Sequence, residues 1–286
     1  MKWLIPAKTF LIGEYTALFG EPALIMTTEP CFLLEIGMAV ANTSLPVNSP
    51  AWNFWHNIEQ NNCNLFFGDP YSGLGGMGAS SAQFLGAFYA SKHLAQLDFS
   101  RTELLSTYLN WAWDGEGVPP SGYDLLAQHM GGCAYIHKNM DIYHSYAWPF
   151  TDIAGILIHT QKKLATHEYL RTFESSISHS ELTNIANNAI QAFTLCDSKQ
   201  FIVSINAYAK ELMALGLQAE HTRTILASLP TELQLLAAKG CGAMGADIIL
   251  LIVPSLCFTN SLAILQKSGY QVVASSENIA MRKQYF

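Results

Sequence analysis

Over the first forty positions apolar residues fall in short blocks, each bounded by a turn-forming residue. Thr9–Ile12 stops at Gly13, Ala23–Thr27 follows the Gly20-Glu21-Pro22 turn, and Cys31–Ile36 follows Pro30, which predicts three strands. Residues 42–73 are rich in Asn and Pro and predict long loops with room for one edge strand. From Ser81 to Leu97 the period changes. Phe84, Leu85, Phe88 and Leu94 recur near helical spacing behind a start crowded with Gly, Ser and Ala. A second helix is expected over Thr102–Trp113, a loop over Gly117–Gly122, a short helix over Tyr123–Met130 and, after Gly131-Gly132, a strand over Cys133–His137.

The character shifts near Pro149. Ile153–His159 predicts a strand, residues 166–238 are helical in pattern almost throughout, and the end reads as strand (Asp247–Val253), helix (Ser261–Lys267) and strand (Gln271–Ala274). Two units, 1–150 and 151–286, follow from that change. The apolar run Ile248–Val253 is far shorter than the roughly 20 residues of a membrane-spanning helix, so it reads as a buried strand and no membrane partner is expected.

Half of the 286 residues are hydrophobic and only 13% are charged, which excludes intrinsic disorder. The length suffices for one large domain or two modest ones. Fifteen Lys and Arg against 22 Asp and Glu leave a net charge of −7, a poor match to a phosphate backbone, so no nucleic-acid partner is expected. Six scattered cysteines without a CxxC pair read as reduced thiols, and no signal-like apolar run follows Met1; both predict a cytoplasmic protein. The histidines show no metal spacing, since His167-Glu168 lacks the second His of HExxH. The helices of 166–238 could present a homodimer face.

Four segments can carry chemistry. Gly73-Leu74-Gly75-Gly76-Met77-Gly78-Ala79-Ser80-Ser81 leads into the first helix, where glycines let several N–H groups converge and the helix N-terminus adds positive charge. It is not a dinucleotide fingerprint, because a turn and not a strand precedes it, and it lacks the GK[ST] of a Walker A loop. Taken alone it reads equally well as an anion site or as a glycine-rich helix start packed on a sheet. Glu116 and Asp124 flank a rigid Pro-rich loop; alone, Asp124 reads more simply as a helix cap and Glu116 as a solvated charge. Lys239 to Asp247 reads alone as a helix end and tight turn. Lys8 and Glu14 flank the first strand.

In order and character these segments resemble the GHMP kinase superfamily, closest to its mevalonate and phosphomevalonate kinases. Pro6-Ala7-Lys8 through Gly13-Glu14-Tyr15 is similar to the opening motif, Gly76-Met77-Gly78-Ala79-Ser80-Ser81-Ala82 to the phosphate loop, Gly115-Glu116 with Pro120-Ser121-Gly122-Tyr123-Asp124 to the GE…PSGxD stretch, and Gly240–Asp247 to the late glycine motif. The resemblance implies an α+β fold of two domains, the first like domain 2 of ribosomal protein S5 and the second a ferredoxin-like α/β sandwich. It implies transfer of the γ-phosphoryl of ATP to a small-molecule alcohol. Asp124 and Lys8 would be catalytic, and Gly75, Gly76, Gly78, Ala79, Ser80 and Ser81 would hold the nucleotide. Ser80 and Glu116 would hold Mg²⁺, with Glu14, Tyr15, Ser121, Gly122 and Gly242 facing the substrate. The PSGxD stretch favours mevalonate, whereas Glu14-Tyr15 is closer to phosphomevalonate kinases. Ala7, Ala79, Cys241 and Met244 depart from the family pattern, which leaves open a divergent substrate or a nucleotide-binding regulator without turnover.

Overall fold

Two long strands organise the first sheet, β1 (Lys2–Ile12) and β2 (Ala23–Gly37), which pair antiparallel along most of their length. The computed structural model describes residues 1–37, 44–58, 63–162, 179–242 and 247–281. Strand β2 was expected as two strands separated at Pro30. A proline cannot donate to a ladder, yet the strand continues, because the register with β1 shifts there: Ile5 faces Phe32 and the next pair is Ala7 with Thr28. This irregularity absorbs both Pro6 and Pro30. On its other edge β2 gives Leu33–Gly37 to β3 (Asn64–Gly68) and Ala23–Met26 to β4 (Cys133–His137); β5 (Ile142–Tyr146) follows β4.

Four helices belong to this half: α1 (Pro50–His56), α2 (Ala79–Ala95), α3 (Arg101–Ala112) and α4 (Tyr123–Met130). Helix α1 replaces an expected loop. Pro50 sits in its first turn, where a missing N–H does no harm, and Ser49 Oγ accepts from the Trp52 N–H at 3.1 Å. Helix α2 buries Phe84, Leu85 and Phe88 as its spacing predicted, while Leu94 is exposed.

The second sheet contains β6 (Ile153–His159), β7 (Ala237–Cys241), β8 (Ile248–Pro254) and β9 (Gln271–Ser275), all antiparallel in the order β7-β8-β6-β9. Helices α5 (Ser180–Thr194), α6 (Ser198–Ala214) and α7 (Glu220–Ala227) lie between β6 and β7, and α8 (Phe258–Lys267) between β8 and β9. This is the ferredoxin-like strand order, and the α+β class holds. The helical pattern expected up to residue 238 ends earlier, since pairing with β8 draws Ala237 and Ala238 into β7. Residues 163–178 of that stretch and 243–246 of the late glycine segment lie outside the described residues.

One apolar cluster joins the halves, bringing Ile5, Leu34 and Phe84 together with Leu157, Phe193 and Leu250. The chain end returns to the first sheet through bridges from Ile279 to Thr28 and from Met281 to Gly131. All six cysteines are free, and among the described residues no helix is long and apolar enough to cross a membrane.

Candidate active site

Strand β1, the glycine segment and helix α4 meet at Lys8. Its backbone N–H donates to the Met77 carbonyl at 3.0 Å, and Gln128 Nε2 donates to the carbonyls of Pro6 (2.8 Å) and Gly78 (3.1 Å). Gly78 has φ +83°, and a Cβ there would lie 2.8 Å from Lys8 Cγ, so this close approach excludes any side chain. Gly76, at φ +82°, would place a Cβ 2.6 Å from the Cβ of Asp247. The loop therefore rests against the start of β8, and α2 begins immediately after it with no side-chain cap on its N-terminal N–H groups.

Asp124 stands in the first turn of α4, but it does not cap the helix: the cap position is Gly122, at φ +73°, and no side chain caps it. The carboxylate turns to Lys8 instead, with Oδ2 2.8 Å from Nζ. The Lys8 side chain is only 8% exposed and that of Asp124 is 38% exposed, so a buried ammonium stands behind a carboxylate that solvent reaches. Lys8 Nζ also lies 5.1 Å from the centre of the Phe10 ring. In the preceding loop Ser121 Oγ accepts from the Tyr123 N–H (3.3 Å), and the Ser121 carbonyl accepts from Lys138 Nζ (2.8 Å).

The other expected residues differ in burial and partners. Glu14 and Tyr15, expected against substrate, point into the interior. Tyr15 donates its hydroxyl to the Leu217 carbonyl at 3.2 Å, and Glu14 Oε1 is 2.8 Å from Lys239 Nζ, both side chains of that pair being 2% exposed or less. Burial pushes the Glu14 carboxyl up against the pull of Lys239 and Lys8. Burial also opposes the Lys239 charge, but Cys241 and Glu14 outweigh it and hold that ammonium up. Ser81 is buried and donates its hydroxyl to the Gly78 carbonyl (3.1 Å); Ser80 is exposed. Gly75 is buried, Ala79 is half-buried, and Gly242 ends β7 at φ +79° with open space where a Cβ would stand.

Glu116 is exposed, and its backbone N–H donates to Asp114 Oδ1 at 3.1 Å. It lines a pocket of about 300 Å³ together with Asn48, Asn53, Trp111, Trp113 and Pro120. The two tryptophans there divide their roles: Trp111 packs edge-on against Phe54, and Trp113 is 40% exposed at the pocket. This pocket adjoins Glu116 and does not include Lys8 or Asp124.

Two residues escaped the sequence reading. Gln128 carries no motif, and only the fold shows it joining three segments. His159, at the end of β6, is buried; its Nδ1 accepts from the Gln161 N–H (2.8 Å), and its ring faces the Gly75 backbone and Asp247. Burial lowers its pKa, partly offset by Asp247.

No family model matches the sequence, and no curated protein matches it. Solved structures do match in fold. The mevalonate kinase of Methanococcus jannaschii is 16% identical with a TM-score of 0.73, covering 99% of this chain and 98% of its own. The phosphomevalonate kinase of Streptococcus pneumoniae, solved with phosphomevalonate and AMPPNP, is 13% identical with a TM-score of 0.78 over 96% and 99%. The galactokinase of Lactococcus lactis, solved with galactose, is 13% identical with a TM-score of 0.71 over 98% and 92%. These are all GHMP kinases, and along nearly its whole length this chain has the GHMP kinase fold.

Proposed function

We propose that this protein transfers the γ-phosphoryl group of ATP to the hydroxyl of a small molecule, and that mevalonate is the substrate. The observation that carries the reading is the Lys8–Asp124 pair at 2.8 Å beside the glycine segment. Phosphoryl transfer depends chiefly on positioning and on stabilising charge. The N–H groups at the start of α2 would receive the triphosphate. Asp124 would orient the substrate hydroxyl and take its proton, and Lys8 would hold that carboxylate in place while offering positive charge to the moving phosphoryl group.

A magnesium ion would be held through Ser80 and Glu116. Ser80 and Glu116 are both exposed and offer oxygen ligands, and among the described residues no cluster of three or more His, Cys, Asp and Glu could hold a metal alone. A metal bound through a few protein oxygens plus phosphates suits Mg²⁺; when bound it would neutralise phosphate charge. The pocket beside Glu116 offers indole faces and the Asn48 and Asn53 amides, which suit a purine base.

Mevalonate is favoured over a phosphorylated substrate because the cations near the motifs are engaged. Lys8 is paired with Asp124, Lys239 with Glu14, and Lys138 with the Ser121 carbonyl. A coupled ADP-release assay over mevalonate, phosphomevalonate, homoserine and galactose tests this, with turnover expected on mevalonate. Turnover confined to another alcohol would transfer the assignment to it. Inactivity on all of them, with ATP bound, would replace the enzyme with a nucleotide-binding regulator.

A further inference from the structure

Alternating charges run through the boundary between the two sheets. Lys239 on β7 pairs with Glu14 at 2.8 Å, Glu14 lies within electrostatic reach of Lys8, and Lys8 pairs with Asp124 at 2.8 Å. Lys239, Glu14 and Lys8 are all buried. The Lys239 ammonium is further enclosed by Cys241 Sγ at 3.7 Å and by the Tyr208 ring, 5.7 Å from its centre. Charges this deep are expensive to desolvate, and apolar side chains of similar volume hold two sheets together at least as well. Cohesion alone does not account for them.

We propose that Glu14 and Lys239 are positioning residues, whose buried pair orients Lys8 and, through Lys8, the Asp124 carboxylate. The inference rests on the kinase reading for the task of Asp124, and it moves Glu14 from the substrate's surroundings to the support behind the site. Glu14 acts on Lys8 through its field and not through a contact, so Asp124 is not the sole carboxyl that the Lys8 ammonium senses. Lys239, 2.8 Å away, pulls against the upward push that burial gives the Glu14 carboxyl. Tyr15, the neighbour of Glu14, anchors the same turn to the second half of the molecule through the Leu217 carbonyl.

Two double variants separate field from cohesion. E14Q/K239M removes both charges at nearly constant volume, and E14K/K239E keeps a pair but reverses its sign towards Lys8. Both are expected to bind AMPPNP within about threefold of wild type while kcat falls, by roughly tenfold in the first and a hundredfold in the second. A folded E14Q/K239M with wild-type kcat would overturn the proposal. If neither double variant folds, E14D decides. It keeps the charge but withdraws the carboxylate by one carbon, so a lower kcat at unchanged KM for ATP supports positioning, and an unchanged kcat refutes it. The Lys8 ammonium resonance, followed by NMR without ligand, needs no turnover. It is expected to shift in E14Q/K239M or E14D, and an unmoved signal sinks positioning alone. A wild type that phosphorylates no alcohol sinks the kinase reading alone.

Discussion

Each side chain at the site is defined by what the backbone allows around it. Asp124 can face Lys8 because Gly122 opens α4 without a side-chain cap, which leaves the carboxylate free of the helix end. Replacing it by Asn removes the proton acceptor and keeps the shape. Asp124→Asn is expected to lower kcat by roughly 10²-fold or more, read as ADP release, and near-normal turnover would remove Asp124 from its role. Gly76 shows the steric side of the same design. Alanine there must adopt φ +82° and push a Cβ against Asp247 and Ile248. Gly76→Ala is expected to lower the unfolding free energy by about 2–4 kcal/mol, from left-handed strain plus overpacking; an unchanged urea midpoint would show that the loop relaxes freely.

Among the elements, those with strong patterns matched the sequence reading best. Strands β4 and β6 have the expected limits, and α4 does too. Helix α1 was missed because Pro46, Asn48 and Pro50 read as loop, although Ser49-Pro50 is also a helix-start signal. That helix contributes Pro50 and Asn53 to the pocket beside Glu116. Its cap is open to test: Ser49→Ala is expected to cost about 1 kcal/mol of stability, measured by denaturant unfolding. Strand β7 failed for another reason. Ala237-Ala238 has helical propensity, but register with β8 and a shared core override it. Strand β5 passed unnoticed because it is a short edge strand with no continuous buried face.

At the scale of the whole molecule, the second half supports the first half's site. Asp247 and Ile248 back the glycine loop, Lys239 reaches Glu14, Leu217 receives Tyr15, and His159 faces Gly75. His159 is expected to make this junction sensitive to pH. Burial lowers its pKa below the ordinary 6.5, so below that pH the unfolded chain takes up the proton more readily than the folded one. Its stabilising contribution is present above pH 6.5 and is lost as pH falls through the folded value. The thermal midpoint is expected to decline on acidification from pH 6.5, and less steeply in His159→Gln. Identical slopes in the two proteins would assign the acid sensitivity to other groups.

Local pattern by itself determined most strand and helix positions and the four chemical segments, because periodicity, glycine and proline act within a few residues of themselves. The GHMP resemblance came from the order of those segments. Only the tertiary structure decided their partners. It set Lys8 on Asp124, paired Glu14 with Lys239, tied Tyr15 to the Leu217 carbonyl, turned the Ser81 hydroxyl onto the Gly78 carbonyl, and brought in Gln128 and His159. The physical reason is distance along the chain. Lys8 and Asp124, or Glu14 and Lys239, meet only through sheet register and packing between halves, and a buried charge takes its role from the partner that the fold supplies.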